Sequence, residues 1–216
     1  MQSILPDRPE TDGKLLAVSA RIDEFEGYAL PHGRRIAAIA GSLAASFNLA
    51  SRDRFFLEQA ALIHDIGELA MKREYVRATR GLSSAERIDL ERHPVIGEQE
   101  AAKLGLPRGV QLIVRWHHEW WNGGGYPDAI RADEIPLAAR ILRVADTFAA
   151  MTGTRPFRIS LSDEDAKKYL TEWAGIEFDP MVVKTFLSLD LREVDQPVTI
   201  RPAISRDPFD DGFSLI

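Results

Sequence analysis

Apolar residues recur at helical spacing through most of this chain, and the histidines lie on those stripes or end them. Ile36, Ile39, Ala40, Leu43, Ala44 and Phe47 repeat at three and four, with His32 four residues ahead of Ile36. Leu57, Ala60, Ala61 and His64 share a second face, His93 follows Leu90, and Val110, Ile113, Val114 and His117 form another such series. Asp146 falls on one face with Ala139, Leu142 and Ala149. A carboxylate on an apolar face is costly to bury unless it is paired, hydrogen-bonded or bound to a cation.

These patterns predict an all-α fold. Helices are expected from about His32 to Asn48, from an N-cap at Ser51 onward, and from a cap at Ser83 or Ser84 towards Leu104 with a break near Pro94. The glycine triplet at 123 to 125 predicts a loop reaching about Glu134. A long helix follows through Leu137 and Phe148, then two shorter ones over Asp163 to Ala174 and Asp179 to Leu187. Residues 14–189 read as one domain, 1–13 as a tail or linker and 190–216 as a C-terminal extension, where Val198 to Ile200 suggests a short strand. No apolar run approaches the roughly 20 residues needed to cross a bilayer, and the start lacks a basic-then-apolar signal. The absence of cysteine excludes disulfides and thiolate metal ligands and is compatible with a cytoplasmic setting. A net charge of −6 argues against a DNA-binding role, though not against a small anionic substrate met by bound cations.

The chain has five histidines, His32, His64, His93, His117 and His118, and with Asp65 and Asp146 they form a candidate ligand set of seven. Adjacent helical residues point about 100° apart, so His64-Asp65 and His117-His118 suit a cluster wider than one ion. Seven side chains also exceed what one ion with an open position takes. Two cations about 3.5–4 Å apart, with Asp65 between them, use all seven. Imidazole with carboxylate favours Fe, Mn or Zn over Ca or Mg. A water between two such ions is acidified enough to attack a phosphodiester, and the ions stabilise charge on the phosphoryl oxygens. No phosphate-binding glycine-lysine loop, serine nucleophile elbow or HExxH motif competes with this set.

The ordered series resembles the HD-GYP domains of the HD phosphohydrolase superfamily over about Pro31 to Leu189. Its anchors are His64-Asp65-Ile66-Gly67, His93-Pro94 with Gly97, His117-His118-Glu119, and Gly123 with Gly125-Tyr126-Pro127. Asp146 within Arg140-Ile-Leu-Arg-Val-Ala-Asp, then Arg155-Pro156-Phe157-Arg158 and Phe178-Asp179-Pro180, continue it. The resemblance implies a helical bundle with a dinuclear metal site in its core, hydrolysing a cyclic dinucleotide, chiefly cyclic di-GMP, to pGpG or GMP. His32, His64, Asp65 and Asp146 would hold one metal; Asp65 would bridge to a second held by His93, His117 and His118. Iron is the expected metal and manganese the alternative. Arg155 and Arg158 look like the family's phosphate-facing arginines, whose planar fork suits phosphate oxygens. Gly123, Gly125, Tyr126 and Pro127 would shape the pocket rim or a partner surface.

The chain departs from the family pattern at four places. Glu68 stands where lysine normally follows HDIG, reversing the local charge; Asn122 replaces the aspartate before the glycine loop; and Ala149 replaces a second acidic residue. Tyr28 occupies the position from which some members offer a glutamate to a third metal. Glu24 and Glu26 lie nearby but out of phase, so two metals are expected. Two other readings accompany the phosphodiesterase. One is a metal-retaining but weak or inactive signalling module, contacting a protein partner through the Trp120–Pro127 loop. The other is the same enzyme acting on another cyclic dinucleotide such as cyclic GMP-AMP. A homodimer is left open.

Overall fold

The computed structural model describes residues 13–154 and 160–190. Ten α-helices make up this part: α1 Gly13–Glu26, α2 His32–Ser46, α3 Ser51–Ile63, α4 Ile66–Met71, α5 Ser84–Leu90, α6 His93–Lys103, α7 Arg108–Trp116, α8 Leu137–Thr152, α9 Asp163–Glu172 and α10 Pro180–Leu187. Among the described residues there is no strand, only an isolated bridge between Ala174 and Phe178. None of these helices is long and apolar enough to cross a membrane.

The core grows from the stripes that the spacing marks. Ile36, Ile39, Ala40, Leu43 and Ala44 of α2 are buried against Leu57, Ala60, Ala61 and Ile63 of α3, and against Ile141, Leu142, Ala145, Phe148 and Ala149 of α8. Each large aliphatic or aromatic side chain so buried contributes about 1.5–3 kcal/mol, and the alanines between them let the helix axes approach. Further along, α3 packs on α7, α7 on α6 and α6 on α4. α10 closes the bundle over α8, where the rings of Phe148 and Phe186 lie 4.8 Å apart. Asp179 ties this end together. It accepts from the Met181 backbone at 2.8 Å as the N-cap of α10, and from Arg140 of α8 at 2.7 Å.

Several boundaries differ from the sequence expectation. Ser51 is the first residue of α3 rather than its cap; Ala50 holds the cap position and no side chain satisfies it. Ser83 does cap, in a reciprocal arrangement with Glu86, but the helix it opens stops at Leu90 and α6 starts anew at His93 with Pro94 in its first turn. The short helix α4, directly after His64-Asp65, and the 3-10 turn Glu74–Arg77 lack a long apolar period and are not among the expected elements. α1 includes Gly13, one residue into the segment read as a tail. The rest of that tail, the extension beyond Asp190 with its expected strand, Arg155 and Arg158 lie outside the described residues.

Candidate metal centre

All five histidines sit at helix ends that converge on one point. His32 opens α2 and His93 opens α6; His64 ends α3, His117 ends α7, and Asp65 caps the start of α4. Asp146 reaches in from the middle of α8. Backbones must come close for this, and glycine permits it. A Cβ on Gly67 would stand 2.0 Å from the His93 carbonyl oxygen, and one on Gly97 would stand 2.9 Å from Val114 Cγ1. Gly67, the glycine of HDIG, is therefore required by the approach of α4 to α6.

The seven residues form two groups joined through Asp65. Its Oδ2 lies 3.0 Å from His64 Nε2, and His64 Nε2 is 3.6 Å from Asp146 Oδ1, which is in turn 3.8 Å from His32 Nε2. Its other oxygen, Oδ1, lies 3.1 Å from His93 Nε2 and 3.5 Å from His117 Nε2. Within each group (Asp65 with His93, His117 and His118; His32 with His64 and Asp146) the nitrogen and oxygen donors fall within 4.8 Å of one another. His64 Nε2 and Asp65 Oδ1 are buried with no hydrogen bond formed to either, as expected of donors turned towards a cation. Imidazole and carboxylate in this number fit a pair of divalent ions.

The histidine tautomers are largely preset. His64 Nδ1 faces the Ala61 carbonyl at 3.0 Å, His93 Nδ1 that of Leu90 at 2.8 Å, and His117 Nδ1 that of Val114 at 2.6 Å. A carbonyl only accepts, so each Nδ1 carries a hydrogen, and the neutral ring then has its lone pair on Nε2, facing the interior. Burial opposes charge on Asp65 and Asp146, but the surrounding histidines outweigh it and hold both carboxyls well below the usual range. Burial, reinforced by His117 and Arg143, pushes His118 well below the usual histidine range. His64 goes the other way: burial opposes its charge, yet Asp65 and Asp146 hold it well above that range.

The glycine-rich loop folds against this centre. Tyr126 stacks on His118 with ring centroids 4.9 Å apart, and its backbone N–H donates to the His118 carbonyl at 3.2 Å. A Cβ on Gly125 would stand 2.3 Å from Trp120 N, so that position requires glycine. Backbone N–H groups of Trp121 and Asn122 donate to the carbonyls of Glu177 and Ile176, fixing the loop to the turn between α9 and α10. Glu119 accepts from Asp128 N at 2.7 Å, while Arg115 and Trp116 grip the Asp128 carboxylate. Trp120 contacts Trp173 edge-on and Trp121 lies beneath the Arg140 guanidinium, so both half-buried rings are engaged within the fold.

Three features of the site escaped the sequence reading. Glu26, judged out of phase, is buried and comes together with Glu68 and Asp65, their carboxylate oxygens within 4.8 Å of one another. That trio borders a cavity of about 200 Å³ also lined by Tyr75, Arg80 and Leu82. Tyr28 stacks on His32 at 3.7 Å between centroids. Arg143, three residues before Asp146 and so on the same face of α8, places Nη1 2.7 Å from His118 Nδ1. The i, i+3 relation to Asp146 is the sequence signal that marks Arg143.

The HD domain family model matches residues 18–182. The chain belongs to the HD domain family. Among relatives of this HD domain is RpfG of Xanthomonas campestris pv. campestris, a cyclic di-GMP phosphodiesterase response regulator. It is 33% identical over 182 residues, which span 82% of this chain and 48% of RpfG. The 3'3'-cGAMP-specific phosphodiesterase 2 of Vibrio cholerae is 28% identical over 209 residues, 94% of this chain and 38% of its own length. The chain thus spans less than half the length of these relatives. The crystal structure of V-cGAP3, a cyclic GMP-AMP phosphodiesterase of V. cholerae, matches with a TM-score of 0.64 at 21% identity, over 85% of this chain and 48% of that one. Bd1817, an HDG"Y"P protein from Bdellovibrio bacteriovorus, matches with a TM-score of 0.61 at 19% identity, over 72% of this chain and 50% of its own. At these identities the two structures establish the helical HD fold and nothing finer.

Proposed function

We propose that this HD domain is a dinuclear-metal phosphodiesterase hydrolysing a cyclic dinucleotide in a cytoplasmic setting, with cyclic di-GMP the first substrate to test and pGpG or GMP the product. The observation that carries this reading is the division of Asp65 between the two groups, one carboxylate oxygen to each. His32, His64 and Asp146 would hold one cation and His93, His117 and His118 the other, with Asp65 between them; iron is the preferred occupant and manganese the alternative. When bound, such a pair supplies Lewis-acid polarisation of the phosphoryl oxygens and an acidified water.

The protein's own residues supply the order around that chemistry. His64, His93 and His117 have their rings locked by backbone carbonyls, so the site is arranged before anything binds. Tyr126 covers the face of His118 and narrows access of water from the loop side. Gly123, Gly125, Tyr126 and Pro127 form the rim in this reading, and Arg155 and Arg158 are the phosphate-facing cations.

Anaerobically purified protein should carry about two Fe or Mn per chain and release pGpG or GMP from cyclic di-GMP, while Asp65→Asn should lose metal and turnover together. Undiminished hydrolysis by the Asp65 variant would falsify the mechanism. The names of relatives acting on 3'3'-cGAMP favour a second substrate within the same mechanism. Competition between the two cyclic dinucleotides in one assay decides between them.

A further inference from the structure

His118 is held unlike its neighbours. His64, His93 and His117 each direct Nδ1 at a carbonyl, whereas His118 Nδ1 meets Arg143 Nη1 at 2.7 Å. A guanidinium only donates, so Nδ1 of His118 is the acceptor, and a neutral ring in that state carries its hydrogen on Nε2. To present an Nε2 lone pair instead, the ring must carry hydrogen on Nδ1, where it confronts the Arg143 donor. The usual arrangement around a metal-binding histidine is the opposite: the distal nitrogen donates, which strengthens the ligand.

Arg143 is not free to step aside. Its Nη2 donates to Glu177 Oε1, Glu177 is buried and also accepts from the Tyr169 hydroxyl at 3.2 Å, and the guanidinium lies 5.9 Å over the Phe178 ring. The same Glu177 receives the loop backbone through Trp121, so the arginine is wedged between α8, the turn after α9 and the loop that stacks Tyr126 on His118.

Resting on the dinuclear reading above, we propose that Arg143, anchored by Glu177, makes the cation at Asp65, His93, His117 and His118 the weaker and more readily exchanged of the pair. The group around His32, His64 and Asp146 has no such opposing donor on His64, whose Nδ1 is satisfied by Ala61. Arg143 is thus a positioning residue: it acts on the metal through the hydrogen-bond state of His118.

The test is a calorimetric titration of metal-free protein with Mn(II), followed by stepwise removal with a graded chelator. Wild-type protein should bind in two steps whose affinities differ by about tenfold or more. Arg143→Gln replaces the donor with a side chain that can accept from Nδ1–H, and the weaker step should tighten by about tenfold while the stronger is unmoved. The double variant Arg143→Gln, Glu177→Gln keeps the buried charge balanced and should behave alike, which guards against a misfolded single variant. In the Co(II)-loaded protein, the paramagnetically shifted Nδ1–H signal of His118, which faces the Arg143 donor in the wild type and an acceptor in the variant, should exchange with solvent faster in the wild type than in Arg143→Gln. Two wild-type steps of equal affinity, or a weaker step unchanged or loosened in both variants, would overturn the proposal and leave the dinuclear reading standing. Fewer than two ions on the wild-type chain would overturn both.

Discussion

The two halves of this bundle are built by different means. In the half formed by α2, α3 and α8, apolar stripes interlock, and His32, His64 and Asp146 ride on helices that packing alone would hold in place. In the half formed by α4, α6 and α7, the helix ends that carry Asp65, His93 and His117 meet backbone to backbone at Gly67 and are steadied by hydrogen bonds to the loop after His118. Apart from Gly33, where a Cβ would meet Ser19 Oγ at 2.4 Å, the first half tolerates changes along its apolar stripes; the second has little slack, because α4 and α6 touch backbone to backbone at Gly67. Stability and metal binding should therefore separate in one half and fail together in the other.

Gly67→Ala should have the largest effect. Its Cβ would meet the His93 carbonyl at 2.0 Å, and the Gly97 backbone nitrogen lies 2.9 Å away, so no flexible side chain can yield. A loss of more than about 3 kcal/mol in denaturant unfolding is expected, and the folded fraction should hold less metal because the His93 ring moves with its backbone. Retention of both ions at native affinity would show that α4 and α6 can part without disturbing the centre.

Leu43→Ala tests the other half. Leu43 is fully buried and lies about 16 Å along α2 from His32. Deleting its side chain should cost about 3 kcal/mol, yet metal stoichiometry and turnover of the folded protein should match the wild type. If metal is lost in step with stability, the two halves are one cooperative unit and the contrast between them fails.

The same contrast explains what could be read from the sequence. The helices α2, α3, α7 and α8 announce themselves by long apolar periods, and His32, His64, His117 and Asp146 fall in phase with those periods. The helix α4 has six residues, too few to show a period, and it exists because Asp65 turns the chain and Gly67 lets it lie on α6. Glu26 was misjudged because α1 ends there and Gly27, at a φ of +82°, swings the chain away; counting back from His32 through that turn has no helical meaning. Arg143 and Glu177 meet only through the fold of the α9–α10 turn, which no local spacing encodes.

Glu68 should give the smallest effect, and it probes the margin where the halves meet. Its carboxylate lies with those of Asp65 and Glu26 on the wall of the 200 Å³ cavity, at the position where the family pattern has a lysine. An anionic substrate entering beside Asp65 meets that negative charge. Glu68→Gln keeps the shape and removes the charge, so KM should fall a few-fold with kcat little changed. Glu68 is largely buried but borders the cavity, so salt should screen its effect on an entering anion only in part, even though the screening length falls from about 10 Å at 0.1 M to about 3 Å at 1 M. The difference between variant and wild type should therefore narrow modestly as salt is raised. A KM that rises in the variant, or bound metal that drops, would instead place Glu68 among the groups holding a cation, and the charge reversal would then serve the metal centre rather than oppose the substrate.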